Sequence, residues 1–257
     1  KGKVFRLKAY EVPVASRTAK GQSLVNFLQL APQEKVSAIL NLDDTQHAEF
    51  LIMITRQGTI KKTLFKDFEN IRRSGLIALK LKGEDLLEWV KVASAKDEVL
   101  ITTAKGQAIR CKESDLRPMG RAASGVRGIR LKAGDEVVSM NIITAEEKKG
   151  GTFSLVVTAN GFGKMTDIKE YRQQTRGGSG IRTAKVTTKT GQVVWSTILN
   201  PDKLPEIVEG DLLIISDKGQ VIRLPLSSVP STGRDTQGVR LMRFKIDSDH
   251  VASVTLV

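Results

Sequence analysis

A turn glycine followed by a short β-type run ending in a base occurs five times along this chain, and such repetition restricts the fold before any single residue does. The runs are Gly2-Lys-Val-Phe-Arg6, Gly58-Thr-Ile-Lys-Lys62, Gly106-Gln-Ala-Ile-Arg110, Gly161-Phe-Gly-Lys-Met165 and Gly219-Gln-Val-Ile-Arg223, spaced by 56, 48, 55 and 58 residues. The fourth copy departs, with Met165 in place of the base and Lys164 one position earlier. A second glycine follows each first one, as Gly21, Gly75, Gly125, Gly180 and Gly238, at an offset of 19 residues in four copies and 17 in the second. Four copies carry an arginine four residues before it: Arg17, Arg121, Arg176 and Arg234; the second copy has Arg72-Arg73 instead.

The stretches between these markers read as strands. An apolar run leads in, as in Phe50–Ile54, Glu98–Thr102, Phe153–Val157 and Leu212–Ile215. A short turn ending in Gly makes a hairpin, and an alternating strand follows, as in Val221–Leu224. An irregular loop carries the arginine and the second glycine. Another strand follows, such as Gly238–Arg243, and an acidic or polar turn leads to a closing strand, as in Val137–Asn141 or Val251–Thr255. Helical periodicity is almost absent. About four strands per unit of roughly 50 residues predict an all-β, propeller-like array in one domain. The blades are expected near 1–46, 47–95, 96–145, 151–200 and 210–257, with the first incomplete. Glu146–Gly151 and Asn200–Pro205 read as solvated connectors, and the opening Lys1-Gly2-Lys3 as the middle of a longer chain.

Charge gives the partner. Lys and Arg number 41 against 28 Asp and Glu, a net +13 over 257 residues, which suits a polyanion. In a radial array equivalent positions lie on one rim, so bases that recur with the repeat form a belt. Duplex DNA carries one negative charge per roughly 1.7 Å of axis, so a curved path of phosphates can follow such a belt. Arg forks phosphate oxygens, and glycine lets backbone N–H groups approach. The expected contacts are Arg6, Arg17, Lys20, Lys61, Lys62, Arg72, Arg73, Arg110, Arg121, Arg127, Lys164, Arg172, Arg176, Arg182, Arg223, Arg234 and Arg240. Aromatic residues are 5% of the chain, and Phe27, Trp89 and Trp195 read as strand residues. No stacking platform for single strands and no recognition helix is visible, so double-stranded DNA would be held by its backbone, without base specificity.

Other chemistry finds little support. The lone Cys111 allows no intrachain disulfide, fits a reducing compartment, and reads as buried. His47 and His250 with one Cys make no soft-ligand metal cluster. No phosphate-loop motif points to ATP, and no apolar run reaches the length of a membrane span. Tyr10 reads as structural, neither it nor Tyr171 has a paired-carboxylate motif, and Asp43-Asp44 and Glu146-Glu147 read as solvated turns. Neither a cofactor nor catalysis by this chain is expected.

The pattern Arg-x-x-x-Gly-Val/Ile-Arg at Arg121–Arg127, Arg176–Arg182 and Arg234–Arg240 resembles the C-terminal domain family of DNA gyrase A subunits, as do Ala15–Gly21, Met119–Arg130 and Gly233–Arg240. The resemblance covers the whole chain. It implies a six-bladed β-pinwheel in which neighbouring blades exchange strands and DNA wraps on the outer rim. It further implies service to an ATP-dependent type II topoisomerase that introduces negative supercoils, with the rest of gyrase A and gyrase B as partners, in the bacterial cytoplasm at the nucleoid. The catalytic tyrosine and ATPase parts would lie outside this chain. Family members carry a Gln-Arg-Arg-Gly-Gly-Lys-Gly box in their first blade. The nearest stretch here, Gln174-Thr-Arg-Gly-Gly-Ser-Gly180, reads as an ordinary blade loop, and the first blade with its box is expected to be missing. Two alternatives stay open: a topoisomerase IV C-terminal domain, which binds and bends DNA with less wrapping, and a propeller scaffold for acidic proteins.

Overall fold

The lead-in strands Phe50–Thr55, Glu98–Thr103 and Phe153–Thr158 are buried along nearly their whole length, and such strands need cover on both sides. The computed structural model describes residues 2–16, 18–32, 34–41, 48–149, 151–200 and 210–257. The first unit contributes β1 (Lys3–Val4). The second contributes β2 (Phe50–Thr55), β3 (Thr59–Leu64), β4 (Leu76–Ile77) and β5 (Leu87–Ala93). The third contributes β6 (Glu98–Thr103), β7 (Gln107–Lys112), β8 (Val126–Arg127) and β9 (Val137–Ile143). The fourth contributes β10 (Phe153–Thr158), β11 (Phe162–Asp167), β12 (Ile181–Arg182) and β13 (Val193–Leu199). The last contributes β14 (Asp211–Ser216), β15 (Val221–Pro225), β16 (Val239–Arg240) and β17 (Val251–Leu256). The helical residues are short 3-10 turns.

Sheet order departs from sequence order in one repeated way. The four-stranded sheets run β5-β2-β3-β8, β9-β6-β7-β12 and β13-β10-β11-β16. In each, the fourth strand comes from the following unit. The first unit pairs β1 with β4 on the same plan, and β17-β14-β15 is a three-stranded sheet. The strand expected from Gly238 to Arg243 is therefore two residues long, and it completes the preceding blade.

The repeated glycines exist for this exchange. A Cβ on Gly180 would sit 2.4 Å from the carbonyl oxygen of Ala108 in the preceding blade, and one on Gly106 would sit 2.5 Å from that of Ala184 in the next. Both glycines hold positive φ, a region that L side chains enter at a cost. Among the described residues, a Cβ on Gly21 or Gly219 would meet nothing within 4 Å.

Closing strands β5, β9, β13 and β17 pack against one another in succession, which places them at the hub. Ser139 and Asn141 of β9 donate there to the carbonyl of Ser196 on β13. The exchanged strands lie at the opposite sheet edges and so form the periphery. Between the sheets lie apolar layers. Ile52, Ile54 and Ile60 of one blade meet Val99, Ile101, Ile109 and Cys111 of the next. Leu155 and Val157 meet Leu212 and Ile214 in the same manner. Burial pushes the Cys111 thiol up to about 12, so it stays a protonated core side chain.

One connector differs from its sequence reading. Glu147 closes a 3-10 turn by accepting from the Thr144 N–H at 2.7 Å, and Lys148 reaches back 3.2 Å to Glu98, so this segment is tied down and not simply solvated. Most of the Asn200–Pro205 connector, and Asp43-Asp44, lie outside the described residues. Phe27 ends a 3-10 turn instead of lying in a strand, whereas Trp89 and Trp195 sit in β5 and β13.

Gly180→Ala is expected to lower stability by about 2 kcal/mol or more, because it combines a strained φ with a backbone clash. Gly219→Ala, with the φ term alone, costs about 1 kcal/mol. Chemical denaturation of the two variants checks the difference.

Candidate nucleic-acid interface

The bases of the repeat separate into an inner and an outer set. The first set ends the β3-type strands. Lys62 is buried, pairs with the Glu113 carboxylate and donates to the Glu113 carbonyl at 3.2 Å. Arg110 is nearly buried, meets Glu98 at 2.5 Å, and donates to the carbonyls of Ile168 at 2.9 Å and Tyr171 at 3.2 Å. Arg6 donates to the carbonyl of Glu69 at 3.3 Å. In all three the acceptor belongs to the 3-10 turn of the next blade or the residue just after it. Met165 takes this position in the fourth unit and packs against the apolar cluster that includes Leu226, the residue that opens the corresponding turn. Arg223, in the last unit, pairs with Asp211 and stays exposed.

Lys61 and Lys164 stand one residue earlier and are also buried. Lys61 donates to the carbonyls of Ala78 and Arg121, and Lys164 to those of Gly233 and Arg234. Burial lowers each ammonium to about 8. Lys61, Lys62, Lys164 and Arg110 are thus corrections to the expected DNA-binding set. They fasten one blade to the next, because the strand carrying them is covered by the neighbour's loop.

The loop arginines stay at the periphery. Arg121 is exposed and donates to the Asp67 carbonyl at 3.3 Å. Arg176 is half-buried, donating to the carbonyls of Asp115 at 3.2 Å and Arg127 at 3.3 Å. Arg234, also half-buried, donates to the carbonyl of Arg182. Each guanidinium uses part of its fork on the preceding blade and keeps further donors. The Gln174–Gly180 stretch occupies the same place as its counterparts, with the Gly177 N–H donating to Gly128 at 2.6 Å.

The exchanged strands supply the exposed Arg127, Arg182 and Arg240 at one repeated register, opposite Thr59, Gln107 and Phe162. Arg240 lies 5.1 Å over the Phe162 ring. Arg182 bonds Asp235 of the next unit at 2.8 Å, which holds that carboxyl below the usual carboxylate range. Arg72, Arg73, Arg172 and Lys20 are exposed. Arg17 lies outside the described residues.

One row of bases escaped the sequence reading. Lys80, Arg130, Lys185 and Arg243 each stand five residues after a second glycine, and all are exposed. The backbone N–H of Lys80, Arg130 and Lys185 donates to the next unit's loop, at Ala123, Gly178 and Thr236, with lengths of 3.2, 2.8 and 2.9 Å. Counting forward from the second glycine would have found the row. Tyr10 is exposed beneath the Lys8 ammonium, and Tyr171 is buried with its hydroxyl 2.6 Å from Thr183. No group of three His, Cys, Asp or Glu is placed to hold a metal among the described residues. No helix among them is long and apolar enough to cross a membrane.

A family model described as "DNA gyrase C-terminal domain, beta-propeller" matches residues 1–43, 49–94, 97–144, 155–200 and 210–257. The chain belongs to this family. The DNA gyrase A protein of Staphylococcus epidermidis is 38% identical over 100% of the chain, and that of Staphylococcus aureus 39%. The chain spans 28% of either relative's length. A solved DNA gyrase A C-terminal domain aligns at a TM-score of 0.79 with 25% identity, covering 99% of this chain and 79% of that one. A topoisomerase IV C-terminal domain aligns at 0.85 with 22% identity, covering 100% and 76%, which speaks for the fold. The propeller description of the family agrees with the succession of stacked four-stranded sheets.

Lys62→Met is expected to cost about 3 kcal/mol, since it leaves the Glu113 carboxylate buried without its cation. Denaturant titration measures that loss. The salt dependence of any DNA binding should be unaffected by this substitution, because a buried base releases no phosphate counterion.

Proposed function

We propose that this chain binds double-stranded DNA without base specificity along its periphery, bending and wrapping it for a type II topoisomerase of the gyrase class. The observation that carries the reading is the recurrence of exposed bases at equivalent peripheral positions, blade after blade, in a chain of this family. Arg127, Arg182 and Arg240 recur on the exchanged strands, and Lys80, Arg130, Lys185 and Arg243 recur beyond them. Arg121, Arg176 and Arg234 stand in the adjoining loops. Rows of this kind meet a phosphate backbone and not base edges, which require an element inserted into a groove.

On this reading the chain performs no covalent step and needs no cofactor. Strand cleavage and ATP hydrolysis belong to the remainder of gyrase A and to gyrase B, in a bacterial cytoplasm at the nucleoid. DNA curved around the periphery presents a second segment to the cleavage site in one hand, which biases strand passage towards negative supercoiling.

The topology of relaxed plasmid tests the reading. The chain is bound to the plasmid, a separate topoisomerase relaxes the complex, and the linking number is read. A shift supports wrapping. Salt-sensitive binding without a shift supports the topoisomerase IV-like reading, bending alone. Binding to acidic peptides in preference to duplex would support a protein scaffold.

Neutralising Arg121, Arg176 and Arg234 together is expected to weaken binding to all duplex sequences alike. It should also reduce the slope of log affinity against log salt by roughly 0.9 for each phosphate that is no longer neutralised. Titrations at several salt concentrations with two unrelated duplexes measure both effects.

A further inference from the structure

Lys61 and Lys164 hold no carboxylate partner within salt-bridge distance among the described residues, although both are buried. A buried ammonium without a carboxylate needs carbonyls or hydroxyls instead. Lys61 finds the carbonyls of Ala78 at 2.7 Å and Arg121 at 2.5 Å. Lys164 finds those of Gly233 at 2.7 Å and Arg234 at 2.5 Å, with the Thr236 hydroxyl at 3.1 Å. Ala78 lies in the same unit as Lys61, but Arg121, Gly233 and Arg234 lie in the next unit's loop, so in both blades the ammonium grips, across the blade boundary, backbone of the loop that carries an outer arginine. Phe5, Ile109 and Ile222 occupy the same repeat position elsewhere. An apolar side chain fills the position structurally, so the fold alone does not demand a cation there.

We propose that Lys61 and Lys164 are positioning residues for DNA binding: their ammonium groups hold the backbone of the next blade's arginine loop, setting Arg121 and Arg234 towards the phosphate backbone without touching DNA themselves. The inference rests on the proposed function for its DNA component. Its loop component stands independently.

The same geometry makes the grip sensitive to pH. Burial lowers both ammonium groups to about 8; Asp67 opposes the shift at Lys61, and Glu170 and Asp235 oppose it at Lys164 while Arg234 adds to it. The folded chain then loses these protons at lower pH than the unfolded chain does. The two lysines therefore contribute a stability that rises, and does not fall, between about pH 8 and the ordinary lysine range. A loss of DNA affinity over that window would come from the loops, and not from unfolding driven by these groups.

The test uses Lys61→Ile and Lys164→Ile, singly and together, since isoleucine already stands at this position in two other units. Amide hydrogen exchange should become faster at residues 120–125 and 233–238. It should stay unchanged at 174–180, where Ile109 stands under the loop. Duplex affinity should fall roughly threefold to tenfold per loop, the scale of a missing hydrogen bond, with the salt slope preserved. With the base-catalysed rise of intrinsic amide exchange divided out, the unsubstituted chain should show falling loop protection and falling affinity between pH 7 and roughly 9.5, and the double variant a flatter profile. A slope reduced by roughly one per lysine would mean direct phosphate contact and overturn the proposal. So would unchanged loop exchange in the variants, or a flat pH profile in the unsubstituted chain. Faster loop exchange in a chain that does not bind duplex at all would preserve the grip and overturn the DNA reading instead.

Discussion

No complete blade of this protein can be assembled from one unit of its sequence. The outer strand of each four-stranded sheet belongs to the following unit, and it is only two residues long. So short a strand adds few ladder hydrogen bonds. It is held because the glycine before it lets the backbone lie directly against the preceding blade. The same requirement explains why two glycines repeat per unit, one on each side of the exchange. Neighbouring blades therefore depend on each other through backbone contact as well as through the apolar layers between sheets.

Cations reinforce this dependence from within. Lys62 and Arg110 satisfy two needs at once, neutralising a buried glutamate and engaging carbonyls at the 3-10 turn of the next blade. A buried ion pair of this kind is weak evidence of net stabilisation, because desolvation offsets much of its attraction. Met165 illustrates the equivalence. It fills the same place with a thioether packed against the apolar cluster that includes Leu226, so the fourth unit's departure from the basic pattern is a change of chemistry at an equivalent position. The recurrence of a base there reflects blade-to-blade fastening, which is also periodic, and periodicity alone does not separate it from ligand binding.

The fold was largely legible because a period of about 50 residues, hairpin glycines and apolar runs all point to stacked β units. Lead-in strands begin within a residue of their expected starts, and the closing strands at Val137 and Val251 begin where expected. The exchange entered through family resemblance and not through the residues themselves: Gly238–Arg243 looks like a strand of its own blade. The interface was legible only in part. A β-strand alternates its faces, but whether a face meets solvent or a neighbouring blade is decided by the neighbour, which local sequence does not specify. Lys61, Lys62, Arg110 and Lys164 were misplaced for that reason. Lys80, Arg130, Lys185 and Arg243 stand five residues after the second glycine, three beyond the point where the Arg-x-x-x-Gly-Val/Ile-Arg pattern ends, so that pattern does not include them.

The division of bases also bears on how a duplex would be held. Bending a short DNA segment costs several kcal/mol on elastic estimates, and no single exposed arginine offsets that. On the proposed reading, a row recurring once per blade would distribute the attraction along the curve, each blade neutralising charge where the path turns. Half-buried arginines tied to backbone carbonyls, such as Arg176 and Arg234, lose less side-chain freedom on meeting a phosphate than free ones would. On the same reading, the interior contacts that withdraw other bases from the surface would still serve the surface. They tie successive blades and their loops together, and a phosphate path along the periphery would follow the curvature that those ties hold.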